Sequence, residues 1–331
     1  MSTSPQVSVL LSVHRDRGGL RRTVEQVLAQ SVRELELIVV DDGSRDRTPQ
    51  LLAELAADPR VRVLTNPQNL GLTPSLNRGL DAARAPWIAR IDEGDGWQPT
   101  KLAAQLARAD EQPELILIGT QAHYVDAQSG APLAGPRLPE GDAALRRALI
   151  SAQNPFIHSS VLFRRLPGVR YNAWPALAER AMDTISDYEL WLRLSLVGRL
   201  ANLPQPLVSF AYAGGHSGLT TERAPLQFDL KRRIWRAFTR ALAGDPARAL
   251  REGLDPGSEL PADPSLRRRL SFGLRYRAAS APGPARAVLR AAGYALDPGD
   301  LGFHLRTKVF TPAKLWAPDL ALRRQLEEST S

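Results

Sequence analysis

The chain contains no cysteine and only two methionines. The missing cysteine excludes disulfides, thiolate metal sites and a cysteine nucleophile. No segment reaches about 18 consecutive apolar residues, the length needed to span a bilayer as a helix. No N-terminal apolar stretch of signal-peptide type is present either, so a soluble, cytoplasmic protein is expected. Lysine is scarce: Lys101, Lys231, Lys308 and Lys314 are the whole set, and arginine carries the positive charge.

What is there is unevenly distributed. Residues 222–331 hold 20 lysines and arginines against 12 carboxylates, whereas residues 1–221 hold 23 of each. The formal charge of +8 therefore belongs to the last third of the chain. A basic segment can bind anionic lipid or nucleic acid. Aromatic residues are not interleaved with these arginines as in a base-stacking platform, so nucleic acid is not expected as a partner. Leu266, Leu270, Phe272, Leu274 and Tyr276 lie beside Arg267, Arg268, Arg269, Arg275 and Arg277. That pairing suggests peripheral docking on anionic membrane, at the inner face of the plasma membrane.

The first 110 residues alternate strand-length apolar runs with amphipathic helical stretches. Strands are expected at Val7–Val13, Leu35–Val40, Val61–Leu64 and Trp87–Ile91. Helices are expected at Leu20–Gln30, Asp46–Ala57, Thr73–Ala83 and Lys101–Ala109. Such alternation implies an α/β fold with a mostly parallel central sheet covered on both faces. Further on, Leu115–Gly119, Ala122–Val125 and Ser160–Phe163 read as strands, Gly130–Glu140 as a loop, and Asp142–Ile150 and Asp187–Val197 as helices. Beyond about residue 221 the pattern turns helical and basic, interrupted by Pro-rich stretches at 253–264 and 281–284. The expected division is a domain over 1–221 and a mainly helical C-terminal extension over 222–331.

Two carboxylate clusters end strand-length runs: Val39-Val40-Asp41-Asp42-Gly43-Ser44 and Ala89-Arg90-Ile91-Asp92-Glu93-Gly94-Asp95. The C-terminal ends of strands in an open α/β sheet are where such folds bind ligands. Carboxylates there can accept hydrogen bonds from a base or ribose, or ligate a hard divalent cation. Further pieces follow in order: Asn69-Leu70-Gly71, Leu76-Asn77-Arg78-Gly79-Leu80, His158-Ser159-Ser160-Val161-Leu162-Phe163-Arg164 and Asp187-Tyr188-Glu189-Leu190-Trp191-Leu192-Arg193. Together, over roughly residues 5–215, they resemble family 2 glycosyltransferases.

The resemblance implies the GT-A nucleotide-diphospho-sugar transferase fold and an inverting transfer. The donor is a nucleotide-diphospho-sugar, with a UDP-sugar favoured. The acceptor is a glycan or lipid-linked hydroxyl, in cell-surface polysaccharide or lipid-linked glycan synthesis. It implies that Asp42 reads the nucleobase, that Ser12 and His14 line the same pocket, and that Asp92 contacts the nucleotide. Asp41, Asn77 and Arg90 join the nucleotide-sugar site, and His158 lies on its acceptor side. Asp187 is the implied base, and its place at a helix N-terminus favours the ionised carboxylate that a base needs. Asp41 can also cap the Gly43-Ser44 turn, and Asp187 can also be an N-cap.

The chain departs from the family pattern at four points. Gly94 stands where the Asp-x-Asp motif supplies its metal-binding carboxylate, and Asp95 matches the trailing Asp. Three readings stay open: Asp95 or Glu93 takes over the Mn²⁺ or Mg²⁺ ion; Asp92 holds it with the diphosphate and water; or activity is lost. Ser186 replaces a Glu before Asp187. An Arg is absent after Tyr212, ahead of His216. Ser12-Val13-His14-Arg15 replaces Pro-x-Tyr-Asn. The alternative function is a catalytically impaired nucleotide-sugar-binding protein with an interaction or regulatory role. Restoring the carboxylate with Gly94→Asp is expected to bring a modest gain in metal affinity.

Overall fold

The structure, a computed structural model, describes residues 4–171, 185–212, 224–254, 283–296 and 320–328. His216 and its loop, and the apolar and arginine residues at 266–277, lie outside the described residues.

Three βα units open the chain. β1 (Val7–Val13), β2 (Leu35–Asp41) and β3 (Val61–Thr65) are each followed by a helix: α1 (Leu20–Leu28), α2 (Thr48–Leu55) and α3 (Leu72–Ala82). β4 (Trp87–Arg90) completes a parallel set in the order β3-β2-β1-β4. Two-residue periodicity divides these strands between two cores. Val7, Val9, Leu11 and Val13 join one buried cluster with Leu37 and Val39, whereas Leu10, Ile38 and Val40 join the other. A sheet buried on both faces needs near-continuous apolar strands, and β2 is buried at every position.

The sheet continues with β5 (Gly96–Trp97), β6 (Leu115–Asp126), β7 (Pro132–Leu133), β8 (Leu162–Arg164) and β9 (Arg199–Tyr212). β8 runs antiparallel between β4 and β6, β6 pairs parallel with β9, and β5 pairs antiparallel with β9. The fold is therefore mixed, mostly parallel α/β, as expected. Two expectations need correction. The strands expected at 115–119 and 122–125 are one strand, kinked where its register against β9 shifts around Thr120–Ala122. β9 itself was not expected, because Pro204 and Pro206 interrupt its sequence. Both prolines fall in the register shift between Leu203 and Val208, where the ladder asks for no donor from them.

Helices α4 (Lys101–Glu111), α5 (Asp142–Ile150) and α6 (Ser186–Leu194) pack around this sheet. The extension contributes α7 (Ala224–Ala243), α8 (Pro246–Glu252), α9 (Gly283–Leu296) and α10 (Leu320–Glu328). Leu230, Ile234 and Phe238 of α7, with Leu250 and Leu254 after it, share a buried cluster with Leu190, Trp191 and Leu194 of α6. The Arg193–Glu189 ion pair, fully buried at 2.6 Å, seals the junction. Arg193 donates to the Leu250 carbonyl at 2.6 Å, and Glu189 accepts from the Leu254 N–H at 3.0 Å. Residues 224–254 are thus packed into the same core as the strands.

Candidate active site

β1, β2 and β4 are parallel, so their C-terminal residues Val13, Asp41 and Arg90 reach one edge of the sheet. β8 is antiparallel to β4, with Ala89 opposite Leu162. The short 3-10 turn His158–Ser160 just before β8 therefore arrives at the same edge. This topology gathers the residues from 12 to 14, 41 to 44, 90 to 95 and 158 to 160, which are far apart in sequence.

The first strand ends are fastened to each other. The Asp42 N–H donates to the Val13 carbonyl at 2.7 Å, and the Ser44 hydroxyl donates to the His14 carbonyl at 2.6 Å. His14 Nδ1 lies 2.8 Å from the Asp42 carbonyl, which fixes its ring, while Ser12 is partly buried on β1. Asp41 accepts from the Ser44 N–H at 2.9 Å, so it does cap its turn. Gly43 is required there: φ is +71°, and a Cβ would lie 2.5 Å from the Gln68 carbonyl carbon. The buried Asp42 carboxylate accepts from Asn66 Nδ2 and the Leu70 N–H, both at 2.8 Å, and from the Gly71 N–H at 2.9 Å. It thereby holds the Asn69-Leu70-Gly71 loop that leads into α3. Asn77, on the buried side of α3, donates to the Tyr171 carbonyl at 2.7 Å.

The second carboxylate loop is clamped from the side of α1. Glu93 accepts from the Arg17 N–H at 2.6 Å and the Gly19 N–H at 3.3 Å. Thr23 Oγ1 donates to the Asp95 carbonyl at 3.1 Å, and Arg22 reaches the Gly94 carbonyl at 3.2 Å. Gly94 has φ +92° with open space where a Cβ would stand, so its backbone conformation, not crowding, calls for glycine.

Arg90 is the electrostatic centre of the site. Its guanidinium is buried and pairs with Asp92, whose side chain is 45% exposed. Burial lowers Arg90 to about 10, while Tyr171, Asp95 and Asp187 pull it back up. Asp95 turns inward. It accepts from the Ser159 hydroxyl and, at 2.8 Å, from the Ala211 N–H, and burial pushes it up to about 6 against those donors and Arg90.

In this arrangement these carboxylates are turned to protein partners rather than gathered as a chelating set for Mn²⁺ or Mg²⁺. Asp95, the expected ligand, spends both oxygens on Ser159 and Ala211, and Asp92 faces Arg90. Gly94 has no side chain, and Glu93 serves the 17–19 backbone. Among the described residues no three His, Asp or Glu side chains converge as a ligand set.

The surroundings of His158 are built on aromatic packing. His158 lies 5.4 Å from the Tyr171 ring and 5.9 Å from the Trp191 ring, centroid to centroid. Its Nε2 is 2.9 Å from the Tyr171 hydroxyl. Burial, reinforced by Arg90, holds His158 well below its ordinary value, so the ring is neutral. Phe156 and Phe163 close edge-on against Trp191 at 6.1 and 5.7 Å. Each such pair contributes about 0.5–1.5 kcal/mol beyond area burial, which anchors α6 through Trp191.

Asp187 stands in the first turn of α6 and is partly buried. It accepts from the Tyr188 N–H at 2.7 Å and from Asn154 Nδ2 at 2.6 Å. Burial raises it above the usual carboxylate range, while the Tyr188 N–H, Lys231, Asn154 and Arg90 oppose that rise. The chain thus carries at one sheet edge a half-open carboxylate paired to a buried cation, and beside that cation a second carboxylate at a helix N-terminus.

Asn154, Ser159, Tyr171 and Lys231 complete this arrangement and were not among the expected site residues. Ser159 lies within the His158–Arg164 motif and Asn154 four residues before it, which is a usable signal. Tyr171 and Lys231 carry none, since tertiary packing alone brings them here.

Residues 8–165 match the family described as glycosyl transferase family 2. The glycosyltransferase EpsE of Bacillus subtilis is 29% identical over 202 residues, 58% of this chain and 68% of its own length. The succinoglycan biosynthesis protein ExoO of Rhizobium meliloti is 35% identical over 161 residues, 48% of this chain and 44% of its own length. In fold the chain is similar to S. aureus TarS 1-349, whose crystal structure is in complex with UDP-GlcNAc. The TM-score is 0.57 at 16% identity, covering 92% of this chain and 91% of that one. That likeness shows the GT-A fold expected above.

Proposed function

Because residues 8–165 match glycosyl transferase family 2, we propose that the chain is an inverting glycosyltransferase of that family using a nucleotide-diphospho-sugar donor. The observation that carries this reading is Asp187, a partly buried carboxylate beside the Arg90–Asp92 pair at the ligand-binding edge of the sheet. The acceptor O–H approaches the anomeric carbon from the face opposite the diphosphate. Asp187 takes the hydroxyl proton as the new C–O bond forms. The old C–O bond breaks, and its electron pair leaves with the diphosphate. Loss of a positioned base typically costs about 10²–10⁴-fold in rate.

The nucleotide lies along the ends of β1, β2 and β4, in contact with Ser12, His14 and Asp92. Asp41 and Asp42 shape that pocket by holding its loops, and Asn77 supports it through the Tyr171 backbone. His158, neutral and fixed, walls the acceptor side. A UDP-sugar is the favoured donor, in keeping with the ligand of TarS. The family match favours use of a divalent cation, Mn²⁺ or Mg²⁺. Since the 92–95 carboxylates are committed to protein partners, each step above is assigned to the chain's own residues.

The names of ExoO and of TuaG of Bacillus subtilis, a teichuronic acid biosynthesis glycosyltransferase, support a polysaccharide or lipid-linked acceptor. Among the described residues no helix is long and apolar enough to cross a membrane. The net positive charge of residues 222–331 supports contact with an anionic membrane surface, where lipid-linked acceptors reside. An impaired, binding-only protein is the less favoured reading, because the relatives carry glycosyltransferase names and Asp187 is present at the start of α6. Proton NMR of the anomeric centre, before and after transfer from a panel of UDP-sugars, tests the proposal. Inversion is expected, and retention would rule out the single displacement.

A further inference from the structure

Lys231 is the first lysine of the basic extension, on α7, and its side chain packs back onto α6. Its Nζ lies 5.3 Å from the centroid of the Tyr188 ring, and the side chain is partly buried. Tyr188 is itself immobilised: its hydroxyl donates to the Leu149 carbonyl at 2.7 Å and its side chain is fully buried. Lys231 is therefore held over the residue next to Asp187, at the start of α6. The neighbours of α7 that could carry it away are fixed as well, since Leu230 and Ile234 are buried in the shared core with Leu190 and Trp191.

The charges and donors around Asp187 come from several elements. Arg90 arrives from β4, Lys231 from α7, and Asn154 from the loop after α5. The Tyr171 hydroxyl faces it as a neutral group, because burial holds that phenol above its ordinary range. Arg90 already answers to Asp92, which leaves Lys231 as the cation near Asp187 with no carboxylate hydrogen-bonded to it among the described residues.

We propose that Lys231 is a positioning residue for transfer: its ammonium, delivered by α7, is the counter-charge of Asp187 and makes the extension part of the active site. This rests on the assignment of Asp187 as the base. No hydrogen bond joins the two side chains, so Lys231 acts on Asp187 through its charge: burial raises Asp187 and lowers Lys231, and each opposes that shift in the other. A compact ammonium on a flexible stem suits this place better than a planar guanidinium. The other described lysine is used alike, with Lys101 Nζ 3.8 Å from the centroid of the Trp97 ring. Removing the charge at 231 leaves burial less opposed, so Asp187 would keep its proton to higher pH and the acid limb of the pH–rate profile would move up with it.

The test is a titration of the full chain labelled with ¹³C at aspartate carboxyls. The Asp187 signal is identified by its loss in Asp187→Asn. Lys231→Met is expected to raise the Asp187 midpoint by about one pH unit, the lower end of the effect of a nearby opposite charge. Lys231→Arg is expected to restore most of it. Lys231→Gln replaces the Met variant should that one melt before the titration is complete. An unmoved midpoint in a folded Lys231→Met or Lys231→Gln protein would overturn the pairing, since a merely structural lysine would alter melting and leave the midpoint alone. UDP release from UDP-glucose and UDP-N-acetylglucosamine by Asp187→Asn separates the two levels. Full release by that variant removes the base assignment itself, whereas lost release with an unmoved midpoint removes only the role of Lys231.

Discussion

Replacing Arg193 by methionine probes how tightly the extension is built into the transferase core. Arg193 and Glu189 are both fully buried, joined at 2.6 and 2.8 Å. The guanidinium also donates to the carbonyls of Leu250 and Arg170. Arg193→Met leaves the Glu189 carboxylate in the interior with the Leu254 N–H as its remaining donor at 3.0 Å. Breaking one side of a buried pair costs about 3–5 kcal/mol. At about 2–4 °C per kcal/mol for a domain of this size, the melting temperature should fall by roughly 10 °C. Arg193→Met combined with Glu189→Met removes both charges, and apolar replacement of a whole pair is often nearly neutral, so the double variant should regain most of that loss. Urea and thermal unfolding of wild type, both single variants and the double variant give the full cycle. A loss below about 1 kcal/mol in Arg193→Met would refute the reasoning, because values that small belong to exposed pairs.

Asp42→Ala should destabilise the fold by roughly 1–3 kcal/mol, since three donors, two of them buried, lose their acceptor; chemical denaturation measures this. Gly94→Asp faces φ +92° and should lose about 1–3 kcal/mol with no rise in Mn²⁺ affinity by calorimetry in the presence of UDP, in contrast to the modest gain expected from the motif alone. The native state holds His158 neutral, well below its ordinary 6.5, so the unfolded chain binds the extra proton. Stability should therefore be complete above pH 6.5 and fall below it by no more than about 1.4 kcal/mol per pH unit. That slope should be flatter in His158→Gln by urea melts between pH 5 and 7.5.

Apart from the two-residue β5, the expected elements of the first 111 residues matched those observed to within a few positions, because the strands are predominantly apolar runs and each helix has a one-sided stripe. The same signal failed at β9, where two prolines sit in a bulge, and at β6, where a kink resembles a chain break. The site was legible where motif residues end strands: Asp41, Asp42, Arg90 and Asp92 do reach one edge. Side-chain direction was not legible. Asp95 follows Gly94 in a motif position, yet it turns inward because Ser159 and the β9 backbone offer it donors from 64 and 116 residues away. The role of α7 was equally hidden, since a net-charge reading treats Lys231 like any other cation in the extension, while packing against Tyr188 sets it apart.

The most direct measurement is nucleotide diphosphate release and product formation from a panel of UDP- and GDP-sugars, with polysaccharide and lipid-linked acceptors, by wild type and Asp187→Asn in parallel with nucleotide affinity. The account predicts turnover by wild type, a fall of about 10²–10⁴-fold in Asp187→Asn, and equal nucleotide affinity in both. Equal turnover in the two proteins would contradict it.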